Sequence, residues 1–315
     1  MTRQKFITFL SLGFFLIAFL SSCNTGIEST RIVRMSKADQ RLLAPTAEDL
    51  TGRQLSGRPL NNWNKGDRFI IADNKAALIL KGVSATSDIV GSSIYYDGLT
   101  SRRSPDGSQE IEIEFRTETS DIYFYPTGKR EREKALELTS DNLAMIIDPQ
   151  IAARADSLLS GKTLWIMNSL WYDAEGNSVP SLKYVPVEVT EVLPGDIYFP
   201  MYVKIRHATI GDAIVWMSAG GGAEGSGRAG SRPFSSLFSY QDPRQAYPSI
   251  SDDNWNLICK GEVAIGMTKD ECRLALGSPQ EVSSGHDWNA TMDIWQYSDG
   301  RFLIFRDGLL SESHH

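Results

Sequence analysis

The N-terminal segment most constrains what this chain can fold into, because it sets where the folded protein begins. Arg3 and Lys5 precede an almost unbroken apolar run over residues 6–20, and small residues follow it. A basic start, an apolar stretch and then small residues are typical of a secretory signal. At ~1.5 Å per residue, a run of ~15 residues is too short to cross a ~30 Å hydrocarbon core with room for flanks. We therefore expect residues 1–22 to be a signal peptide that is removed from the mature protein.

The four residues at the end of the apolar run indicate how the mature chain begins. The motif Leu20-Ser21-Ser22-Cys23 resembles the bacterial lipoprotein box, in which the Cys thiol is acylated and the Cys becomes the first residue. The alternatives are an ordinary cleaved signal and a short membrane helix. The resemblance implies lipid attachment at Cys23, and several acyl chains at ~0.8 kcal/mol per buried CH₂ anchor a protein stably. Asn24 stands where inner-membrane lipoproteins of this type tend to have Asp, which favours the outer membrane. Residues 25–28 lack the acidic cluster of some surface-exported lipoproteins, which favours a periplasm-facing position.

Charge and length limit the partners and the architecture. The chain has 32 basic and 39 acidic residues, a formal net charge of −7, and loss of residues 1–22 removes two of the basic ones. Such an acidic surface repels nucleic-acid phosphates and anionic lipid headgroups, so neither is an expected bulk partner. Residues 23–315 are more than one hydrophobic core usually holds. We expect an α+β protein of several domains, joined to the membrane by a polar tether over residues 23–45.

A β-rich domain is expected over residues 46–145. Its clearest strand signal is the alternation of Ile111, Ile113 and Phe115 with acidic residues, which predicts a half-buried strand. The acidic side chains would then form a solvated face that also guards against pairing at a sheet edge. The residues of this expected face are Glu110, Glu112 and Glu114.

A second β-rich domain with a leading helix is expected over residues 146–218. Asp148-Pro149 predicts the helix start, with Asp as the N-cap and Pro in the first turn. Short apolar runs separated by about ten residues then predict a small barrel or sandwich. The stretch 159–164, Leu-Ser-Gly-Lys-Thr-Leu, echoes the stretch 55–60, Leu-Ser-Gly-Arg-Pro-Leu. The echo is either the trace of two related lobes of SH3-like barrel size or chance.

Residues 219–250 form a Gly/Ser-rich linker and an apolar loop, which we expect to pack between the second domain and a C-terminal module. Residues 225–230 formally match the dinucleotide-binding pattern Gly-x-Gly-x-x-Gly. The match lacks its context, because Arg232-Pro233 follows where a helix should begin and no βαβ unit surrounds it. A phosphate needs the helix N-terminus at that point. We therefore expect no nucleotide and no other cofactor.

A module of two helices and a three-stranded antiparallel sheet is expected over residues 251–311. Thr268 and Glu271 have the spacing of a capping box at the start of the second helix. Gly277 and Pro279 are typical of the end of that helix. Two apolar strands flank residues 298–301, Ser-Asp-Gly-Arg, which predicts a tight hairpin.

Four motifs of this module occur in an order that resembles the SmpA/OmlA (BamE-like) family: Gly266 to Cys272, Leu276 to Pro279, Trp295 to Tyr297 and Phe305 to Gly308. Members are small outer-membrane lipoproteins, accessory subunits of the machine that inserts β-barrel proteins. The resemblance covers residues 251–310, about a fifth of the chain, and implies a protein partner in the cell envelope. It departs from the family pattern because residues 24–250 separate the module from Cys23. The fold also occurs in secreted β-lactamase inhibitors, so an inhibitor-type module is the alternative.

No motif in the sequence carries recognisable catalytic chemistry. His207 and His286 fall within the expected folded regions, and neither has a partner at metal-ligand spacing. No Gly-x-Ser-x-Gly nucleophile elbow occurs. Cys259 and Cys272 are either two buried thiols or a disulfide. We assign no catalytic, metal-binding or cofactor-binding residue, and the one assigned site is lipid attachment at Cys23.

These features together predict a lipid-anchored, non-enzymatic lipoprotein of the bacterial outer membrane that acts through protein–protein contacts, as a scaffold in outer-membrane assembly or maintenance. The alternative is a lipoprotein whose β lobes bind peptide or glycan, because the plentiful Tyr and Trp are either core residues or an exposed binding face. A hydrolase is the third hypothesis, and it needs two carboxylates ~5–10 Å apart in a cleft. Clustering of the exposed aromatic residues on one lobe is the observation that bears most directly on these alternatives.

Overall fold

The computed structural model describes residues 45–83, 88–103, 107–220, 230–287 and 290–314. The expected signal peptide, Cys23 and nearly all of the expected tether lie outside these residues. The described part is an α+β structure that is mostly β, with three antiparallel sheets and few, short helices. None of the helices in these ranges is long and apolar enough to cross a membrane.

Helix α1 (Ala47–Gln54) precedes the first sheet, which together with its connections forms the first lobe, residues 57–147. The strands of this lobe are β1 (Arg68–Ile71), β2 (Ser93–Arg103), β3 (Gln109–Thr117), β4 (Ile122–Lys129) and β5 (Ile146–Ile147), and they pair in the order β4-β3-β2-β1-β5. Three 3-10 helices, Leu60–Asn62, Asn74–Leu78 and Ser140–Asn142, and helix α2 (Arg132–Leu136) lie in the connections. The core of the lobe is aromatic at its centre, where Trp63, Phe69 and Phe115 pack with ring centres 4.4–6.4 Å apart.

Strand β3 differs from its expected role as a half-exposed strand. It pairs with β2 on one side and β4 on the other, and Glu112 is fully buried rather than solvated. The segment after β1 crosses this face, since Lys81 pairs with Phe124 of β4 in a β-bridge and its ammonium contacts the Glu112 carboxylate. Arg102 Nε lies 3.2 Å from Glu112 Oε2, within ion-pair distance but without hydrogen-bond geometry. Burial of this carboxylate requires both cations.

The second lobe, residues 148–240, begins with helix α3 (Pro149–Leu159). The expected helix start is confirmed, because Asp148 is the N-cap and its carboxylate accepts a hydrogen bond from the Gln150 N–H at 3.0 Å. The strands are β6 (Thr163–Ile166), β7 (Val185–Pro194), β8 (Met201–His207), β9 (Gly211–Met217) and β10 (Phe238–Ser239), with helix α4 (Phe234–Leu237) before β10. They pair in the order β10-β6-β7-β8-β9. Phe234 and Phe238 join the core of this lobe rather than forming a separate packing loop.

The two lobes share one strand order. In each, four consecutive strands form an antiparallel meander, and a short fifth strand pairs with the free edge of the first. The two six-residue stretches with similar sequences, 55–60 and 159–164, occupy corresponding places. Residues 55–60 follow helix α1, residue 159 is the last of helix α3, and both stretches lead towards the first strand of their lobe. The sequence echo therefore coincides with a repeated topology.

Helix α1 falls within the expected first domain, yet its contacts are with the second lobe. The Glu48 carboxylate accepts hydrogen bonds from the Tyr240 N–H at 2.9 Å and from the Ser239 hydroxyl at 3.0 Å. The Thr51 and Tyr240 hydroxyl oxygens lie 2.9 Å apart, and Leu55, after the helix, is buried in the core of the second lobe. We call this set of contacts the α1 clasp.

The C-terminal module contains helices α5 (Asp252–Lys260) and α6 (Lys269–Leu276) and strands β11 (Glu281–Asp287), β12 (Ala290–Gln296), β13 (Phe302–Arg306) and β14 (Leu309–His314), which pair in that order. The capping box is confirmed, because Thr268 N–H donates to Glu271 Oε2 at 2.7 Å and Glu271 N–H donates to Thr268 Oγ1 at 3.2 Å. The sheet has four strands instead of the expected three. The two strands expected around residues 294–297 and 302–305 correspond to β12 and β13, and His286, expected in a loop between strands, lies in β11. Cys259 and Cys272 are buried free thiols.

The second lobe contacts this module through two consecutive residues. Lys183 N–H donates to the Cys259 carbonyl at 3.0 Å, and its ammonium donates to the Ala275 carbonyl in the last turn of α6. Tyr184 has a positive φ of 58° and packs against Trp255 at 5.7 Å. Burial lowers the pKa of Lys183 to about 8, although a helix C-terminus favours a cation.

Candidate ligand-binding cleft

A cleft of about 480 Å³ lies between the first and second lobes. One wall, which we call the first-lobe wall, is formed by residues 140–143 and 146–147 of the first lobe and is continued by Asp148 and Ile151 at the start of the second lobe. The opposite wall comes from the second lobe, in the β7–β8 connection at residues 196–200 and in residues 218–219 and 230–232. The volume lies in the range of about 300–1,000 Å³ that is usual for ligand sites. The two lobes thus build one site together.

Arg232 is the cationic side chain of the second-lobe wall, and aromatic rings hold it. Its guanidinium carbon lies 4.7 Å from the ring centre of Phe199, 5.6 Å from that of Tyr172 and 5.8 Å from that of Trp216. Tyr172 and Trp216 stack with their centres 3.8 Å apart and their planes within 3°. Such cation–π contacts are worth about 0.5–2 kcal/mol each, depending on desolvation. The rings therefore fix the guanidinium in place.

The backbone of Arg232 is also fixed. Its N–H donates to the Ser218 hydroxyl and its carbonyl accepts from the Ser218 N–H, both at 2.9 Å. This pair of bonds ties residue 232 to the residue that follows β9. The position of the guanidinium therefore follows from the sheet as well as from the rings.

The Arg232 guanidinium has no polar partner in the described ranges. Its Nη1 atom is buried and forms no hydrogen bond, and no carboxylate of the described chain lies within ion-pair distance of it. A guanidinium carries five N–H donors, and leaving a buried donor unpaired costs about 1–3 kcal/mol or more when it is charged. Few buried polar groups in folded proteins are left in this state. Nη1 is thus unsatisfied but enclosed, and Arg232 as a residue lines the cleft.

Three aspartates line the same cleft, and each has partners of its own. Asp148 is fully buried and accepts from Arg58 Nε at 3.1 Å as well as capping α3. Asp141 accepts a hydrogen bond from the Thr139 hydroxyl within the turn before β5. The first two carboxylates thus hold the first-lobe wall in shape.

The third aspartate, Asp196, organises the β7–β8 connection. Its carboxylate accepts from the Tyr198 and Phe199 N–H groups, both at 2.7 Å, and from the Tyr202 hydroxyl at 2.9 Å. Burial and this last bond raise the pKa of Tyr202 to about 12. Asp196 thus places Phe199 against the guanidinium, which is a positioning role. The three aspartates thus all serve as caps or turn acceptors.

The residues singled out in the sequence are not brought together at this cleft. His207 is buried, lies 6.0 Å from Trp171, and its Nδ1 accepts from the Thr209 and Ile210 N–H groups at 3.3 Å, so it caps a turn. Burial lowers the pKa of His207. His286 lies in β11 of the C-terminal module, remote in the chain from both lobes. Cys23 lies outside the described residues. The ranges that the structure describes contain no group of three or more His, Cys, Asp or Glu residues that could hold a metal ion.

The cleft was not predicted from the sequence. The exposed aromatic residues of the described ranges do not cluster on one lobe, since Tyr198, Tyr247 and Phe302 lie in the second lobe, in the segment after it and in the C-terminal module. Four half-buried rings of the second lobe do pack together: Tyr172, Phe199, Tyr202 and Trp216. They come from a loop, a connection and two strands, so no local pattern marks them. Arg232 was considered only as a residue that fails to begin a nucleotide-binding helix. Its position immediately before a Pro and after a Gly/Ser-rich stretch gives no sign of a binding role.

Comparison with known proteins gives no relative from which a role could be transferred. No protein-family model matches the chain, and neither a curated protein nor a solved structure matches it.

Proposed function

We propose that this protein is a lipid-anchored, non-enzymatic component of the bacterial cell envelope whose folded lobes bind a protein partner. The observation that carries the binding role is the cleft between the two lobes, in which an aromatic-held guanidinium lacks a polar partner. The anchor is inferred from the Leu20-Ser21-Ser22-Cys23 motif, Asn24 favours the outer membrane, and the lack of an acidic cluster at residues 25–28 favours its periplasmic face. Binding modules on a membrane tether act on partners within reach of that membrane.

We further infer that both lobes are SH3-like. Support comes from the shared strand order, in which the fifth strand pairs with the first, and from the long connection between the first and second strands. In the first lobe the 3-10 helix Ser140–Asn142 stands before the last strand. Small barrels of this kind bind extended peptides in aromatic-lined grooves, which is consistent with a protein partner.

We also infer that the C-terminal module, residues 251–311, is BamE-like. The helix–helix–antiparallel-sheet order and the capping box at Thr268 support this inference, whereas the fourth strand departs from it. On this proposal the partner belongs to outer-membrane assembly or maintenance. An inhibitor-type module stays the alternative for these residues.

A peptide fits the cleft better than a glycan. Sugar rings bind by stacking on free aromatic faces, but Tyr172 and Trp216 cover one another and Phe199 faces the guanidinium. Tyr198, which is 67% exposed at the cleft, is the aromatic side chain that can contact a ligand most freely. We therefore keep glycan binding as the second candidate.

The anchor is tested by intact mass measurement of the full-length protein made in a Gram-negative host. We expect a cleaved chain that begins at Cys23 and carries acyl groups, and a Cys23→Ser variant that leaves the membrane fraction. A free N-terminal thiol, or an uncut leader, would contradict the proposal.

The binding role is tested by a photo-crosslinking amino acid at Tyr198 in cells. Leu78, which is 81% exposed on the first lobe and does not line the cleft, is the matched control position. We expect a discrete adduct with an envelope protein from position 198 and none from position 78. Equal labelling from both positions, or no adduct from either, would contradict the binding role.

A further inference from the structure

We propose that the cleft between the lobes binds a peptide segment that carries one carboxylate, and that this carboxylate pairs with the Arg232 guanidinium. This inference rests on the proposed function, because it names the class of ligand that the interaction site takes. The ligand is identified by chemistry alone, and a chain terminus and an Asp or Glu side chain supply the same group.

The first argument is the state of the guanidinium. Nη1 is buried without a hydrogen-bond partner, and no described residue accepts a hydrogen bond from Nε or Nη2. Nε and Nη2 are not among the buried unpaired atoms of the described residues, and Arg232 lines the cleft. A guanidinium edge presents two parallel N–H groups, the geometry that matches a planar carboxylate.

The second argument decides between a carboxylate and a phosphate. Asp141, Asp148 and Asp196 line the same cleft, and Arg58 neutralises only Asp148. A phosphate, with about two negative charges at neutral pH, would be repelled by the remaining aspartates. A single carboxylate, with about half that charge, meets less repulsion beside the Arg232 cation. Between these two anions, the wall aspartates therefore disfavour the phosphate.

The third argument concerns what accompanies the carboxylate. The first-lobe wall has an apolar floor formed by Leu143, Ile146 and Ile151. The second-lobe wall adds Tyr198 and Pro200 at the opposite side. An apolar side chain next to the carboxylate would lie against these residues, so a short peptide uses the cleft more fully than a small acid does.

The test uses the immobilised full-length protein and a pool of random N-acetylated hexapeptides with free C-terminal carboxylates. A second pool has C-terminal amides, so that only Asp and Glu side chains supply carboxylates there. Bound peptides are counted by mass spectrometry. We expect the wild-type protein to enrich carboxylate-bearing peptides about tenfold or more over an Arg232→Gln variant, the ratio that a charge-assisted hydrogen bond of ~1.5 kcal/mol supplies. Binding by both pools, or by the acid pool alone, supports the proposal and distinguishes side-chain from terminal carboxylates.

Two variants separate the site from the fold. Arg232→Lys keeps the charge but loses the two-pronged geometry, so we expect an intermediate enrichment. Arg206→Gln removes an exposed cation of the same lobe that pairs with Asp212 outside the cleft, and should enrich like the wild type. Near-ultraviolet circular dichroism of each variant checks that the fold is retained.

Three results would overturn the inference. These are equal enrichment by the wild type and Arg232→Gln, enrichment of peptides that lack any carboxylate, and displacement of the pool by inorganic phosphate at lower concentration than by acetate. A partner crosslinked through position 198 with no carboxylate dependence would leave the proposed function standing without this inference. Carboxylate-dependent peptide capture by a chain with unmodified Cys23 would support this inference and contradict the lipid anchor of the proposed function.

Discussion

Arg58 Nε donates a hydrogen bond to Asp148 Oδ2 at 3.1 Å, joining residues 90 positions apart in the chain. The same guanidinium donates to Asp67 Oδ2 at 2.6 Å. The Asp148 side chain has no exposure and that of Arg58 is 13% exposed. Burial opposes ionisation of Asp67, but the Arg58 guanidinium and the Asn64 N–H hold the pKa of that carboxyl below its ordinary value. The pair ties the start of the first lobe to the N-cap of α3, where the second lobe begins.

Removal of Arg58 should therefore destabilise both lobes. In an Arg58→Ala variant, Asp148 is left as an uncompensated buried charge, which typically costs about 3–5 kcal/mol. Urea unfolding measures the loss. Lys134→Ala breaks an exposed ion pair with Glu131 and should change the free energy of unfolding by less than about 1 kcal/mol. Equal effects of the two substitutions would show that the Arg58–Asp148 pair is not a structural tie.

Lys183 predicts a rise of stability with pH. Its pKa is about 8 in the folded protein, against an ordinary value of 10.5. Between these values the unfolded chain holds a proton that the folded chain has released, so the contribution of Lys183 to stability rises with pH over this window. The difference in free energy of unfolding between the wild type and Lys183→Met should shift in favour of the wild type from about pH 7.5 to about pH 9.5.

The Lys183 comparison needs a control because Tyr and Cys side chains also titrate above pH 8. Those remote from Lys183 are unchanged by the substitution and cancel in the difference, whereas Cys259 interacts with Lys183 and belongs to its local effect. Lys134→Met, which removes an exposed lysine, should show no such pH dependence relative to the wild type. If the difference in free energy of unfolding between the wild type and Lys183→Met does not change with pH, the Lys183 ammonium is not desolvated at Ala275.

Much of the fold could be predicted because its signals are local. Asp148-Pro149, the capping box at Thr268 and Glu271, and the 298–301 hairpin each depend on residues within a few positions of one another. The structure bears them out for that reason. The acidic residues of β3 are different, since whether Glu112 is exposed depends on the path of the chain around Lys81, a residue 31 positions earlier. Alternation alone cannot reveal a segment that covers a strand.

The cleft could not be predicted for the same physical reason. Arg232, Phe199 and Tyr172 lie far apart in the chain, and only the pairing of β7, β8 and β9 brings their connections together. The strand count of the C-terminal sheet was underestimated by one, and exposed residues such as 281–284 carry no apolar alternation that would locate a strand. Sequence patterns report burial within an element, whereas a binding site depends on where several elements end.

The α1 clasp should depend on the Glu48 carboxylate. Although burial opposes it, the hydrogen bonds from Tyr240 and Ser239 hold the pKa of Glu48 below its ordinary value. The clasp therefore contributes stability that is present above pH ~4.3 and lost as the pH falls. Glu48→Ala leaves the Tyr240 N–H without an acceptor, at a cost of about 1–3 kcal/mol.

Hydrogen exchange of the Tyr240 amide measures this clasp directly. Exchange should accelerate in Glu48→Ala and much less in Glu48→Gln, which keeps an acceptor oxygen. The protection factor of this amide, which corrects for the slower intrinsic exchange in acid, should fall at low pH in the wild type but not in Glu48→Gln. Unchanged protection of that amide in both variants would argue against the clasp.

The three cysteines allow a simple count. Burial raises the pKa of Cys272 to about 12 and raises that of Cys259 as well, so both thiols should react slowly with Ellman's reagent in the native protein. In denaturant without reductant, we expect two reactive thiols if Cys23 is acylated and three if it is not. If neither Cys259 nor Cys272 reacts after unfolding, the two are joined by a disulfide.

The position of α1 determines how mechanical force would enter the molecule. Force applied at residue 45 acts first on Glu48 and Thr51. These residues are hydrogen-bonded to Tyr240 and Ser239 at the end of the second lobe. Strand β1 begins only at Arg68, behind Leu55 and its buried side chain. Tension arriving from the N-terminal side is thus carried by the second lobe, and the sheet of the first lobe is shielded from the load.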